Sequence, residues 1–143
     1  MSLDTVKSKI PHREPFLFLD EVISIDTQHA VGQRLVRAEE PQFQGHYPHN
    51  PIMPGVLLCE ALFQLGAYFL VYKLEQEFQT LSGKTPVLAR IKEAKFKKLV
   101  RPGDTLLMRV ELEETLGNFF FLKGSIRVKD SLVMSVAFSL SYV

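Results

Sequence analysis

The stretch that decides the fold is residues 43–66, which read FQGHYPHNPIMPGVLLCEALFQLG. Prolines at positions 48, 51 and 54 exclude a helix before Pro54 and hold the loop in a fixed, extended course. Pro54 itself suits the first position of a helix, where a missing N–H costs nothing. Residues 56–72 are almost all apolar. The sequence therefore predicts a stiff loop followed by a long helix that is buried nearly all round.

Two polar side chains, Glu60 and Gln64, interrupt this apolar helix. They are four positions apart and therefore lie on one helix face. Because burial disfavours the charged form of a carboxyl group, we expect the pKa of Glu60 to be raised. The free N–H groups at the helix start, around Gly55 and Val56, form a site for partial negative charge. Together with His46 in the loop, these groups supply what proton transfer beside a polarised carbonyl requires.

Length and composition place the chain among soluble globular proteins. Its 143 residues are 46% hydrophobic and 23% charged, and we expect one domain over residues 1–143. The net charge of +1 argues against bulk nucleic-acid binding. The single cysteine, Cys59, excludes an intrachain disulfide and is compatible with a reducing compartment. Since the N-terminus carries no secretion-signal pattern, we predict a cytoplasmic protein.

The apolar stretch over residues 54–72 is long enough to raise the possibility of a membrane span. Glu60 and Gln64 in its first half argue against this, because each would need a partner inside lipid. The strand-like segments that follow offer a sheet on which the helix can lie. We therefore predict a core helix and no membrane span.

The rest of the chain is predicted to consist mainly of strands. We predict a short helix over residues 3–10, a hairpin of strands 16–25 and 30–38, and strands 86–99, 106–116, 119–128 and 132–142. The long helix is expected to end between Glu77 and Gly83. Inward positions change parity near Glu93, which predicts a β-bulge. The pattern indicates an α+β sheet wrapped around a single helix.

The ordered motif GHYP-x2-P-x-MPGVL-x2-EA-x2-Q at residues 45–64 resembles the signature of a known enzyme family. The family is the 3-hydroxyacyl-[acyl-carrier-protein] dehydratases of type II fatty-acid synthesis, the FabZ type. The segments PHR-x-PFL at residues 11–17 and KFKKLVRPGD at residues 95–104 also resemble this family. The resemblance thus covers most of the chain.

The resemblance implies a hotdog fold, a curved antiparallel six-stranded sheet wrapped around one long central helix. It implies a homodimer or a trimer of dimers, with His46 from one subunit and Glu60 from the other in each active site. The implied reaction dehydrates (3R)-3-hydroxyacyl-[acyl-carrier-protein] to the trans-2-enoyl form, without metal or redox cofactor, on substrate carried by phosphopantetheine. Glu60 favours the FabZ type over the related dehydratase-isomerases, which typically have Asp there.

Dehydration needs a base at the carbon beside the carbonyl, a donor to the carbonyl oxygen, and an acid for the departing hydroxyl. His46 and Glu60 are the predicted catalytic residues, and the Gly55 N–H is the predicted carbonyl donor. Which of the two catalytic side chains moves which proton stays open. Gln64 is expected to orient Glu60. The predicted substrate-binding residues are Gly55, Val56, Phe63 and Gln64.

Residues 90–101 contain six basic side chains opposed only by Glu93. The simplest interpretation is a solvated strand face. The resemblance implies an acidic carrier protein as partner, and electrostatic steering would favour its docking at such a patch. The predicted docking residues are Lys95, Lys97, Lys98 and Arg101.

The chain departs from the family pattern at three positions. Glu21 stands where the family commonly has Arg, Tyr47 where Phe is usual, and Phe63 where a small residue is usual. We expect Phe63 to alter the acyl tunnel, and these departures leave chain length and pathway open. Two other functions remain as alternatives: a hotdog thioesterase, and a catalytically silent partner subunit of an active paralogue.

Two further site types are disfavoured. His46 and His49 have the spacing of half a metal site, but the remaining ligands would have to come from Cys59 or Glu60. A nucleophilic role for Cys59 is disfavoured because the neighbouring carboxylate should raise the pKa of the thiol. We expect Cys59 to be a buried packing residue and no metal to be bound.

Overall fold

The computed structural model describes residues 2–77, 79 and 83–143. The elements are, in chain order, α1 (Leu3–Lys9), β1 (Glu21–Ile25), β2 (His29–Leu35), a 3-10 turn (Pro41–Gln44), α2 (Gly55–Gln76), β3 (Pro86–Phe96), β4 (Thr105–Leu116), β5 (Phe119–Val128) and β6 (Ser131–Tyr142). This order confirms the predicted sequence of a short helix, two strands, a long helix and four strands. The end of α2 lies one residue before the predicted interval.

All six strands form one sheet in the order β1-β2-β4-β5-β6-β3, and every neighbouring pair is antiparallel. Helix α2 contacts β2, β3, β4, β5 and β6, so the sheet wraps around it. A curved antiparallel sheet around one long central helix is the predicted hotdog fold, which is thereby confirmed. Strands β1 and β3 are the two edges of the sheet.

Helix α2 is buried on all sides along its middle, since every residue over positions 61–70 is buried. By length and composition the helix could cross a membrane, since its mean hydropathy reaches 1.6 over an 18-residue window. However, 67% of that window is buried inside the protein. The apolar surface of α2 is thus covered by the sheet, and the helix is the core of the fold.

The close approach of strand β2 to its neighbours depends on Gly32. A Cβ atom at this position would lie 2.9 Å from Leu19 Cδ1, 3.0 Å from the backbone oxygen of Glu21 and 3.1 Å from Leu65 Cδ1. The first and third distances involve side chains, but the second involves backbone that cannot move independently. A side chain at this position would therefore push β2 away from β1 and from α2.

The first strand begins later than predicted, at Glu21 rather than at residue 16. The backbone of residues 16–18 is bound by side chains, whereas the Asp20 N–H donates to the Gln33 carbonyl of β2 at 3.0 Å. Gln64 Oε1 accepts a hydrogen bond from the Phe18 N–H at 2.7 Å, and Arg34 donates to the Leu17 carbonyl at 3.0 Å. Leu17, Phe18 and Leu19 are buried against the core, whereas Phe16 is 49% exposed. They form an extended segment that packs without joining the sheet.

The β-bulge predicted in β3 is present. The pairing of β3 with β6 shifts register between Lys92 and Lys95, and Glu93 adopts a positive φ of 54° within the shift. Strand β3 ends at Phe96, three residues before the predicted end. It is paired on one side only, and Leu88, Ile91 and Phe96 are 40–51% exposed along it. The sheet thus has one long edge with exposed apolar side chains.

We expect Gly32→Ala to lower the free energy of unfolding by about 1–3 kcal/mol, because the added methyl group overpacks the contact between β2, Leu19 and the Glu21 backbone. The measurement is urea denaturation. Gly45→Ala is the matched control, since a Cβ there meets nothing within 4 Å and its φ of −115° suits any residue. Equal stabilities of the two variants would contradict this account of Gly32.

Candidate active site

His46 is held in one orientation by the loop that precedes α2. Its Nδ1 lies 2.7 Å from the carbonyl oxygen of Ile52. Since a carbonyl can only accept a hydrogen bond, Nδ1 carries the proton and donates it. The ring also contacts the Tyr47 ring edge-on, with centroids 4.7 Å apart. In the neutral form of the His46 ring, Nε2 is therefore the nitrogen without a proton and can act as the acceptor.

The loop itself is anchored at both ends. Tyr47 has a left-handed backbone with φ of 53°, and its carbonyl accepts the Asn50 N–H at 2.9 Å. The Met53 N–H donates to the Val100 carbonyl at 2.7 Å. These contacts, together with the prolines, bring the chain from His46 back to the start of α2. The imidazole and the helix N-terminus are thereby held beside each other.

His46 lines a cavity of about 300 Å³, and the first turn of α2 forms another part of its wall. The N–H groups of Gly55 and Val56 belong to this turn, where a helix supplies no internal acceptor and carries partial positive charge. The Phe96 ring covers Gly55 so closely that a Cβ atom there would lie 2.9 Å from its Cε1. The other lining residues are Tyr47, Ile52, Met53, Leu58, Lys98, Leu99 and Val100.

Glu60 is largely buried, with 21% of its side chain exposed. Burial raises the pKa of the Glu60 carboxyl, and the hydrogen bond from Gln64 offsets part of this rise. That hydrogen bond runs from Gln64 Nε2 to Glu60 Oε2 at 2.9 Å. The predicted contact between these side chains and the predicted rise in pKa are both confirmed. Glu60 can thus keep a proton at a pH where an exposed carboxyl group would lose it.

Gln64 is completely buried, and its amide has one possible orientation. Its Oε1 accepts from the Phe18 N–H at 2.7 Å, and its Nε2 donates to the Phe16 carbonyl at 2.8 Å and to Glu60. Because the Phe18 N–H can only donate, the oxygen must face it and the NH₂ group must face Glu60. Both N–H bonds of the amide are therefore engaged in holding Glu60 and the segment around Phe16.

His46 and Glu60 of one chain do not share a cavity. Glu60 is not among the described residues that line the His46 cavity, whereas Leu58 is. Two positions separate Leu58 from Glu60, which places their side chains about 160° apart around the helix axis. One chain thus presents His46 and Gly55 at one place and Glu60 at another.

The other predicted substrate-binding residues lie at opposite extremes of exposure. Val56 is 75% exposed at the start of α2. Phe63 is buried, and its ring packs against the Phe138 ring with centroids 4.8 Å apart. The side chain of Phe63 thus fills the space between α2 and β6. Cys59 is buried, and burial together with the nearby Glu60 raises the pKa of its thiol.

The predicted docking residues divide between two places. Lys98 lines the His46 cavity, and Arg101 lies beside the same loop, with Nη2 3.4 Å from Asn50 Oδ1. Lys95 instead lines a groove on the sheet together with Lys123. Lys97 is exposed between these places, and its N–H donates to the Val133 carbonyl at 2.7 Å. Lys98 and Arg101 are thus the basic residues beside the cavity.

Sequence reasoning assigned no role to His12, which the structure places beside Glu60. His12 Nε2 lies 3.6 Å from Glu60 Oε2, and 24% of the side chain is exposed. The segment around His12 stood out in the sequence only as part of the PHR-x-PFL resemblance. A histidine 48 positions before a buried glutamate gives no periodic signal of contact. Elsewhere, the part of the chain that the structure describes contains no group of three metal-ligating His, Cys, Asp or Glu side chains.

Comparison with known proteins gives a consistent family. The profile of the FabA-like domain matches residues 10–137. The 3-hydroxyacyl-[acyl-carrier-protein] dehydratase FabZ of Clostridium perfringens (strain SM101) is 43% identical over 135 residues, which are 94% of this chain and 94% of the relative. FabZ of Chloroflexus aggregans is 47% identical over 79% of this chain and 76% of the relative.

Solved structures support the same fold at low sequence identity. The dehydratase heterocomplex ApeI:P from Xenorhabdus doucetiae matches with a TM-score of 0.80 and 16% identity, over 95% of this chain and 89% of that one. A hypothetical thioesterase with coenzyme A from Streptococcus pneumoniae matches with a TM-score of 0.66 and 14% identity, over 98% and 92% of the two chains. These similarities establish the architecture and nothing finer.

We expect Glu60→Gln to raise the free energy of unfolding above neutral pH. Folding raises the pKa of the Glu60 carboxyl group, so ionisation of this group destabilises the folded protein. The folded state binds the extra proton, so stability falls as pH rises from 4.5, the ordinary pKa, through the raised value. The glutamine can still accept the Gln64 N–H. Urea denaturation of both proteins across pH measures the difference.

The low-pH end of this series is its own control, because both side chains are neutral there. The advantage of Glu60→Gln should therefore shrink as the pH falls from the raised pKa towards 4.5, and should be absent below 4.5. A difference in stability that does not change with pH would contradict a raised pKa for Glu60.

Proposed function

The chain belongs to the FabA-like family, and we propose that it dehydrates (3R)-3-hydroxyacyl thioesters of acyl carrier protein to trans-2-enoyl thioesters. The observation that carries this proposal is His46, whose unprotonated Nε2 shares a cavity with the free N–H groups of α2. The relatives named 3-hydroxyacyl-[acyl-carrier-protein] dehydratase support the same reaction. An enzyme of this kind is a hydro-lyase.

In the proposed mechanism His46 Nε2 removes a proton from C2 of the acyl chain. The Gly55 N–H donates to the thioester oxygen, on which negative charge develops, and the positive end of α2 adds to this stabilisation. Protonated Glu60 gives its proton to the C3 hydroxyl, the C3–O bond breaks, and water leaves as the C2–C3 double bond forms. The reaction is redox-neutral, and these side chains supply the proton transfers without a resident cofactor.

Each proposed site takes its Glu60 from a second copy of the chain. This division is supported by the separation of His46 and Glu60 around α2 within one subunit. It is also supported by β3, an eleven-residue edge strand with exposed apolar side chains, which is suited to pair with another strand. A homodimer, or a trimer of such dimers, would complete two sites across each two-fold axis.

Phe63 bears on the chain length that such an enzyme accepts. Its ring occupies the space between α2 and β6, against Phe138. A bulky side chain buried one turn from the catalytic carboxyl would shorten any acyl channel that follows the helix. We propose that Phe63 limits the acyl chain and that the enzyme acts in the cytoplasm, in fatty-acid or related lipid or polyene synthesis.

The proposed partner is the acyl carrier protein, which brings the substrate on its phosphopantetheine arm. Lys98 and Arg101 support a docking position at the mouth of the His46 cavity. A cation at this mouth would attract an acidic carrier, and a 4′-phosphopantetheine arm could then enter directly. Lys97 extends this basic surface, whereas Lys95 lies in the groove on the sheet, away from the cavity.

The test of the reaction is mass spectrometry of 3-hydroxyacyl carrier protein after incubation with the enzyme. We expect the acyl group to lose one water with the wild type and to remain unchanged with His46→Ala or Glu60→Ala. Release of the free carrier thiol would instead indicate a thioesterase. No change at any chain length would support a silent partner subunit.

Coexpression of His46→Ala with Glu60→Ala tests the division between subunits in the same assay. A mixed dimer contains one site with both side chains intact. Random pairing makes half of the dimers mixed, so we expect about a quarter of the wild-type rate from two inactive proteins. If His46 and Glu60 of one chain formed the site, the mixture would stay inactive.

The docking proposal predicts that Lys98→Glu raises KM for carrier-bound substrate severalfold and leaves kcat for a short pantetheine thioester near the wild-type value. Lys95→Glu is the matched control, because it reverses the same charge in a groove away from the cavity. Steady-state kinetics with both substrates measures the effect. A larger effect of Lys95→Glu would move the docking surface to the sheet.

A further inference from the structure

His12 is a half-buried titratable group that takes no part in the proposed mechanism. Its Nδ1 is inaccessible to solvent and has no hydrogen-bond partner among the described residues. Its Nε2 faces Oε2 of Glu60 at 3.6 Å. Burial, and secondarily the charge of Arg13, lower the pKa of the His12 imidazole, which favours the neutral ring.

The surroundings of the ring decide which nitrogen carries its proton. With hydrogen on Nδ1, a buried N–H would lack an acceptor and the Nε2 lone pair would face a carboxyl oxygen that already accepts from Gln64. Both arrangements are unfavourable. With hydrogen on Nε2, the ring directs a donor at Oε2 and leaves only a lone pair unpaired. The Nε2–H tautomer is therefore the one that fits.

We propose that His12 is a positioning residue whose Nε2–H, with the Nε2–H of Gln64, directs two donors at Oε2 of Glu60 and so reserves Oε1 for the transferred proton. The 3.6 Å separation of His12 Nε2 and Glu60 Oε2 is longer than a hydrogen bond. When Glu60 gives its proton away, the new carboxylate attracts both donors. A small rotation of either side chain then closes the contact.

In this arrangement the two donors affect the pKa of Glu60. Donors that face Oε2 stabilise the carboxylate more than the protonated acid, so they lower the pKa of Glu60 and counteract part of the effect of burial. Removing the His12 donor should therefore raise the pKa of Glu60 and make it a weaker acid. Other groups nearby are Arg13, beside His12, and Cys59, beside Glu60. Neither of them donates to Glu60 Oε2 among the described contacts.

The first test is NMR of the intact enzyme, which does not depend on activity. ¹⁵N spectra of the ring should show His12 as the neutral Nε2–H tautomer at neutral pH. ¹³C titration of the Glu60 carboxyl, assigned by its absence in Glu60→Gln, should show a higher pKa in His12→Leu than in the wild type. His12→Gln, whose amide can place a donor near the same position, should return the pKa towards the wild-type value.

The second test is kinetic and rests on the proposed dehydratase function. Hydrogen bonds to charged groups are strong enough that we expect kcat to fall roughly tenfold or more in His12→Leu, with KM little changed. His12→Gln should recover most of this loss. A merely structural role for His12 would not produce rescue that parallels the pKa of Glu60.

The two tests separate the possible failures. Absence of dehydration by the wild-type enzyme would overturn the proposed function, while the NMR titrations would still decide whether His12 acts on Glu60. An Nδ1–H tautomer, or equal Glu60 pKa values in the wild type, His12→Leu and His12→Gln, would overturn the role of His12. Thermal melting and a native-like spectrum of His12→Leu exclude unfolding as the cause of its effects.

Discussion

The buried amide of Gln64 is the interaction on which the organisation of the site depends. It binds the backbone of the segment around Phe16 and Phe18 to α2, and with its remaining N–H it fixes Glu60. An amide without partners in this environment would be costly, so the three hydrogen bonds stabilise one another. The same amide thus fixes both the position of the N-terminal segment and the orientation of the Glu60 carboxyl group. The same approach brings His12 to Glu60.

Burial of Glu60 shows how the fold sets the chemistry at some cost to stability. An apolar helix surrounded by a sheet is favourable for folding, yet it penalises an ionised side chain within it. Gln64 lowers that penalty without removing it, because a neutral donor compensates only part of the lost hydration. The carboxyl group therefore remains able to hold a proton. Natural sequences retain such local conflicts where a reaction needs them.

Much of the fold was predictable because it rests on local patterns. Prolines defined the loop before α2, continuous apolar residues defined the core helix, and a change of parity located the bulge at Glu93. The segment over residues 16–20 was predicted as a strand because it is rich in aromatic and aliphatic residues. Such a composition indicates burial, but it does not show which groups form hydrogen bonds with the backbone. At residues 16–18, side chains of Gln64 and Arg34 bind the backbone instead of a neighbouring strand, and periodicity cannot reveal this.

The candidate site was predictable only in part. The helix register placed Gln64 beside Glu60, and the apolar surroundings implied the raised pKa of the carboxyl group. The tautomer of His46 depends on the Ile52 carbonyl, and the position of His12 depends on how the N-terminal segment folds back. Both are tertiary features. The separation of His46 and Glu60, the two proposed catalytic residues, likewise becomes visible only when the lining of the cavity is known.

The two ends of the sheet are unequal, and this limits how the protein can assemble. β3 offers an outer edge eleven residues long with exposed apolar side chains, whereas β1 is only five residues long. Two copies that join their long edges about a two-fold axis leave only the short edges outward. Strand addition then stops after one step, since a short edge is a poor template for another strand. In the proposed dimer, association would therefore be self-limiting, and growth into an open-ended β-polymer would be avoided without any additional capping element.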